Sequence, residues 1–184
     1  MVVLDWIMVN VPFILTVVLL ICFCYRAVKE GFVAELFGFV SAIIAAVAIL
    51  LLALIVHGVF DSERIEVFVA IILILLLLII HRMVVLLFEP LKLVVKLPVL
   101  KVVDSIAGIA VAILETILIV WAIYCVVIIV GVDPVLDWIK RCTAVNPVMK
   151  VLYDYNYLYA LVYKIFGKIS AIDKWTLVNV IRSI

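Results

Sequence analysis

The sequence predicts an all-α, polytopic integral membrane protein with four transmembrane helices and a C-terminal amphipathic helical segment. Three observations lead there. Of the 184 residues, 71% are hydrophobic and the mean hydropathy is +1.54, against about 45–50% apolar residues in an ordinary soluble domain. Residues 6–24 and 38–56 carry no charge at all, and each is long enough for the roughly 20-residue crossing of a bilayer. The Val and Ile runs are too long and too uniformly apolar to alternate between the two faces of a sheet. The chain divides into a transmembrane domain over residues 1–132 and an amphipathic, interfacial tail over residues 133–184.

The first helix is expected over residues 5–25, with Pro12 inside it as a tolerated kink. It lacks the basic n-region and small-x-small site of a secretory signal and is followed by a second span, so it reads as retained. Residues 26–30 form a tight polar turn, which makes helix two, over 31–57, an antiparallel neighbour. There Gly31, Ala34, Gly38, Ala42 and Ala45 recur every three or four residues and fall on one side, a surface flat enough for another helix to lie against. Glu35 lies beside that stripe, where its carboxylate must face protein or water.

A polar loop over 57–66 leads into helix three, over 67–88, almost pure Ile and Leu until His81 and Arg82. The Arg82 stem can stay apolar while its head reaches the phosphate layer. Residues 89–101 contain Pro90 and Pro98, with Lys92 and Lys96 four apart among Leu and Val; they read as a short surface helix among anionic headgroups. Helix four, over 104–130, carries a second small-residue stripe, Gly108, Ala112 and Thr116, a plausible partner for the first. Beyond Asp133-Pro134 charges appear regularly. From Asn146, a cap, and Pro147, a first helical residue, one amphipathic helix is expected to about residue 169. Its Tyr155 and Tyr159, with the later Trp175, suit the headgroup region. Ser170 and Asp173 offer a second helix start.

Two stretches carry a family likeness. Lys29-Glu30-Gly31-Phe32-Val33-Ala34-Glu35 resembles the Arg/Lys-Gly-Phe-x-x-Glu pattern of the bacterial colicin V production protein family, with Glu30 where the basic residue usually stands. The family begins its fourth helix Asp-Arg-x-x-Gly-x-x-x-Gly, with Arg-Gly about three residues on; Asp104 and Gly108 match, while Ser105, Ala112, Glu115 and Thr116 depart. Asn146-Pro147 begins a segment that is also similar. The resemblance implies a multi-pass protein of the bacterial inner (plasma) membrane, associated with colicin V production or export and with envelope integrity.

The residues that stand out chemically are Arg26, Glu30, Glu35, Asp104 and Glu115. An ionised Glu115 in the middle of its apolar run costs at least about 2.5 kcal/mol, so it is neutral or paired. The charge-bearing candidates to meet it are Arg26, His57, His81 and Arg82; a proton or cation pathway and an oligomer contact are the other readings. Arg26 precedes Glu30 by four and forms with Glu30 and Glu35 either a solvated pair capping the hairpin or a docking site. Of the four cysteines, Cys22, Cys24 and Cys125 sit in apolar runs and Cys142 is the one expected to meet solvent.

Enzyme motifs are missing: no HExxH, no phosphate loop, no Gly-x-Ser-x-Gly. No cofactor, catalytic residue or metal site is implied, and a net charge of +1 gives no reason to expect nucleic acid. Counting Lys and Arg near helix ends gives six for loops one and three (Arg26, Lys29, Arg82, Lys92, Lys96, Lys101) against four elsewhere (Arg64, Lys140, Arg141, Lys150). That bias puts both termini outside the cytoplasm. The function expected is a non-enzymatic membrane factor supporting toxin production, export or envelope homeostasis, acting as a scaffold. Its partners would be the lipid bilayer, further copies of itself and secretion or envelope proteins. The alternative is an ion- or proton-coupled channel or transporter subunit using Glu115 and Glu35.

Overall fold

The computed structural model describes residues 2–57, 63–94 and 101–166. Seven helices occupy them: α1 Val2–Glu30, α2 Phe32–His57, α3 Glu63–Val94, α4 Lys101–Val130, α5 Asp133–Val145, α6 Pro147–Asp154 and α7 Tyr157–Phe166, with no strand among the described residues. The first four are long and apolar enough to cross a membrane. The chain is therefore a multi-pass membrane protein.

Four contacts fix the directions of these helices. Phe37, early in α2, stacks on Phe88, late in α3, at 5.1 Å between ring centroids, so α2 and α3 are antiparallel. Asp104 of α4 meets the first residue of α2, and Glu115 lies beside Gly38, so α2 and α4 run the same way. Gly108 of α4 packs on Ala27, near the end of α1, opposing those two helices. Helix α4 is central, touching every other helix, and is the most buried of the spans; α1 is the least. A shared apolar core joins Ala45, Ile49 and Ala53 of α2, Leu73 and Leu77 of α3 and Val126 of α4 to Ile139, Met149, Tyr159 and Val162 of the C-terminal helices.

The sequence places the first turn over five residues, but α1 continues through Arg26 to Glu30 and the chain reverses at the single residue Gly31. Its φ of +89° is one that glycine alone adopts without strain. Gly131, at φ +82°, does the same after α4. The Val132 amide reaches back to the Val127 carbonyl at 3.4 Å, the helix-ending Schellman pattern. Helix α3 passes through Pro90 to Val94, so the surface helix expected from residue 89 is, as far as Val94, the end of α3 itself. Proline removes only one ladder bond there, a loss a membrane bundle tolerates.

The tail departs further from expectation. Residues 133–145 form a helix of their own, with Pro134 in the first turn. The single helix expected from Asn146 breaks at Tyr155–Asn156, because the Asn156 side chain turns back to accept the Tyr159 amide at 3.0 Å and starts a new helix. The same side chain donates to the Trp121 carbonyl of α4 at 3.2 Å, and the Trp121 indole donates to the Leu152 carbonyl at the end of α6 at 2.9 Å. Rings of α4 and the tail meet edge to face, Trp121 on Tyr157 and Tyr124 on Tyr153. Tyr159, expected at the headgroups, is instead 1% exposed in the core, since the new helix points it inward. Tyr155 remains exposed.

Pro12 has no amide hydrogen, so the Met8 carbonyl loses its helical donor. The Trp138 indole of α5 donates to that carbonyl at 3.1 Å, and Thr16 donates to the Pro12 carbonyl at 2.8 Å. The carbonyl freed by Pro12 in α1 is thereby tied to the tail. The two residues should couple: Trp138→Phe alone is expected to destabilise the detergent-solubilised protein by about 1 kcal/mol. Combined with Pro12→Ala, which restores the backbone donor, it should cost much less; equal effects of Trp138→Phe in the two backgrounds, measured by thermal unfolding, would refute the coupling.

Candidate functional site

Helix α1 carries Arg26 four residues before its end, one turn after Phe23, so both project from neighbouring faces into the bundle. Helix α2 brings Glu35 from its first turn, α3 brings His81 and α4 brings Glu115. The Arg26 guanidinium donates from Nε to Glu35 Oε2 at 2.9 Å and from Nη2 to Glu35 Oε1 at 3.0 Å, a two-pronged bond. Nη2 also donates to Glu115 Oε2 at 2.8 Å. Glu115 Oε1 lies 3.2 Å from His81 Nε2. Both carboxylates are 0% exposed and His81 is 7% exposed. The Phe23 ring closes one side, with the Arg26 guanidinium 4.9 Å above its centroid and the His81 ring edge-on to it.

Glycine makes room for this cluster. A Cβ at Gly38 would overlap Arg26 Nη2 and come within 2.9 Å of Glu115 Oε2. The cluster thus lies about 10 Å below the Gly31 turn, counting about 1.5 Å of rise per residue along α2. At the turn, Asp104 Oδ1 accepts the Phe32 amide at 3.0 Å. A carboxylate from α4 therefore caps α2, where free amides and the helix dipole favour a negative charge. Gly31 leaves the space Asp104 occupies, since a Cβ there would collide with its Oδ2.

Arg26 and Glu35, grouped in the sequence at the first turn, meet Glu115 here, and of the four candidate partners for Glu115 the structure selects Arg26 and His81. Arg26 turns inward from within α1 onto Glu35 and Glu115, so it is not a loop charge, while Glu30 is exposed. His81, read beside Arg82 as a boundary residue, belongs to the cluster, while Arg82 is exposed. Its signal was register: on a helix extending to Val94, His81 lies well inside the apolar run. Ala34, Gly38, Ala42 and Ala45 of α2 are buried, as are Gly108, Ala112 and Thr116 of α4. A Cβ at Gly108 would come within 3.3 Å of Ala27 Cβ of α1 and 3.4 Å of the Gly31 backbone, so that stripe serves α1 as well as α2. Lys92 lies in α3, its side chain outside the described residues, as are Lys96 and Trp175 altogether.

Cys142, expected to meet solvent, is buried, and the exposed cysteine is Cys22. Helix α5 turns Cys142 toward the core, and burial pushes its thiol above the ordinary value despite the opposing effect of Arg141. Among the described residues no group of three or more His, Cys, Asp and Glu side chains could hold a metal ion. What the cluster can do is hold charge: one fixed cation shared by two carboxylates, with an imidazole against the second.

The family model described as colicin V production protein matches residues 14–153, from within α1 to the last turn of α6. No match was found among curated proteins or among solved structures.

Removing the shared cation leaves two buried carboxylates facing each other. Arg26→Gln is expected to destabilise the bundle by about 3–5 kcal/mol, the cost of breaking a buried pair from one side, and Arg26→Gln with Glu35→Gln by much less. Thermal unfolding in detergent measures both; near-neutral behaviour of the single variant would remove the cluster from the fold's energetics.

Proposed function

Because the chain belongs to the colicin V production protein family, we propose that it is a non-enzymatic protein of the bacterial inner membrane that supports toxin production or export, or envelope homeostasis more broadly. It does so as a scaffold on which copies of itself and secretion or envelope proteins assemble. One observation carries this reading: the ionisable side chains of the cluster and the turn are directed onto groups of the same chain, half-buried Arg26 onto the buried Glu35 and Glu115, half-buried Asp104 onto the Phe32 amide. Such groups hold helices in place. The outward faces of α1 to α3 are aliphatic, with Leu15, Val18 and Ile21, Val40 and Val47, and Ile72, Leu75 and Ile79 exposed, suited to lipid and to other membrane helices.

Both termini are proposed to lie outside the cytoplasm. With the Arg26 charge consumed inside the bundle, the excess of Lys and Arg in loops one and three narrows but keeps its sign. The tail helices dock on the early part of α1 and the later half of α4, on the side where α1 begins.

Two experiments test these readings. In a toxin-producing strain deleted for the gene, the wild-type chain should restore toxin release. Gly38→Leu, which overfills the space between Arg26 and Glu115, should insert in the membrane yet restore less than a tenth of it; undiminished release in the deletion strain would refute the role. For orientation, Lys140→Cys in a cysteine-free background places an accessible thiol on α5, where Lys140 is exposed. A membrane-impermeant maleimide should label it in intact spheroplasts, and labelling only after lysis would invert the topology.

A further inference from the structure

We propose that the bundle binds one proton, held between Glu115 Oε1 and His81 Nε2. The inference goes beyond the scaffold reading and stands without it.

The argument is a count of charges and donors. Around the cluster, α1 presents Arg26 with the Cys24 thiol near Glu35, α2 presents Glu35, α3 presents His81 and α4 presents Glu115. Asp104 is bonded at the turn and Arg82 points outward. Three of the four carboxylate oxygens accept from Arg26. The fourth, Glu115 Oε1, is buried with no hydrogen bond, as is His81 Nδ1, although Oε1 sits 3.2 Å from His81 Nε2. One guanidinium against two carboxylates leaves a net negative charge, which a hydrocarbon surrounding disfavours strongly. A single proton cancels it.

Among the described residues, the ionisable partner facing the unbonded oxygen is the imidazole, so the proton belongs on that line. Carried by Glu115, it is donated to the Nε2 lone pair; carried by His81, the imidazolium donates to the carboxylate. The count is one either way, and the site's ligand is the proton itself. Replacing Glu35 removes the surplus charge at a distance: with Glu35→Gln, Arg26 and Glu115 balance each other and the proton has no reason to stay.

The test uses the full chain in lipid nanodiscs at neutral pH, with 15N-labelled histidine and a His57→Gln background to isolate the His81 signal. Infrared spectroscopy reports a protonated carboxyl group and NMR reports the imidazolium. The wild-type cluster should show one of the two, in an amount equivalent to one proton per chain. Both Glu115→Gln and Glu35→Gln, which keep side-chain volume, should reduce that to none. A neutral His81 with no protonated carboxyl in the wild type would overturn the proposal, as would a proton that survives Glu35→Gln. Neither result bears on toxin release, so failure here is separable from failure of the scaffold reading.

Discussion

A charged group inside a bilayer needs partners from its own protein, and the cluster around Arg26 draws a side chain from each of the four membrane helices. The Arg26 guanidinium binds α2 and α4 through Glu35 and Glu115, and rests on Phe23 of its own helix. His81 of α3 completes the ring against Glu115. Hydrophobic attraction cannot sort helices in lipid, because tails and leucines are equally apolar. The cluster supplies what apolar packing lacks: a point where only one set of neighbours and one register satisfies every charge. The small side chains of α2 and α4 then decide how closely the backbones approach.

The same rule governs the backbone. Where a helix breaks or kinks, amides or carbonyls are freed, and in a low-dielectric setting each needs a partner. Asp104 serves the start of α2, Trp138 the carbonyl released by Pro12, Trp121 the end of α6 and Asn156 the start of α7. Each of these side chains comes from, or reaches to, another element. The tail is consequently fastened to the bundle by specific polar contacts, beyond what an amphipathic face resting on headgroups would require.

The four spans, the all-helical class and the positions of Glu35 and Glu115 were legible because they are local: a run of apolar residues or a carboxylate within one declares itself without reference to the rest. Pairings were not. Arg26 stands 9 residues from Glu35 and 89 from Glu115, and nothing in the spacing of a sequence encodes the second distance. The boundary of α1 had the same cause: Arg26 looks like a loop residue until its charge is known to be satisfied within the membrane. The break at Asn156 was hidden because the pattern of apolar residues continues across it, and only the nearby Trp121 carbonyl makes the turned side chain worthwhile.

The amino-acid sequence on its own therefore determined the solvent, since 71% apolar residues in long uncharged runs can be covered only by lipid and by one another. Tertiary structure alone decided which charge meets which, because neutralising a buried carboxylate depends on a few ångströms of space between helices far apart in the chain. Composition sets how many such charges there are, while geometry sets whether they cancel.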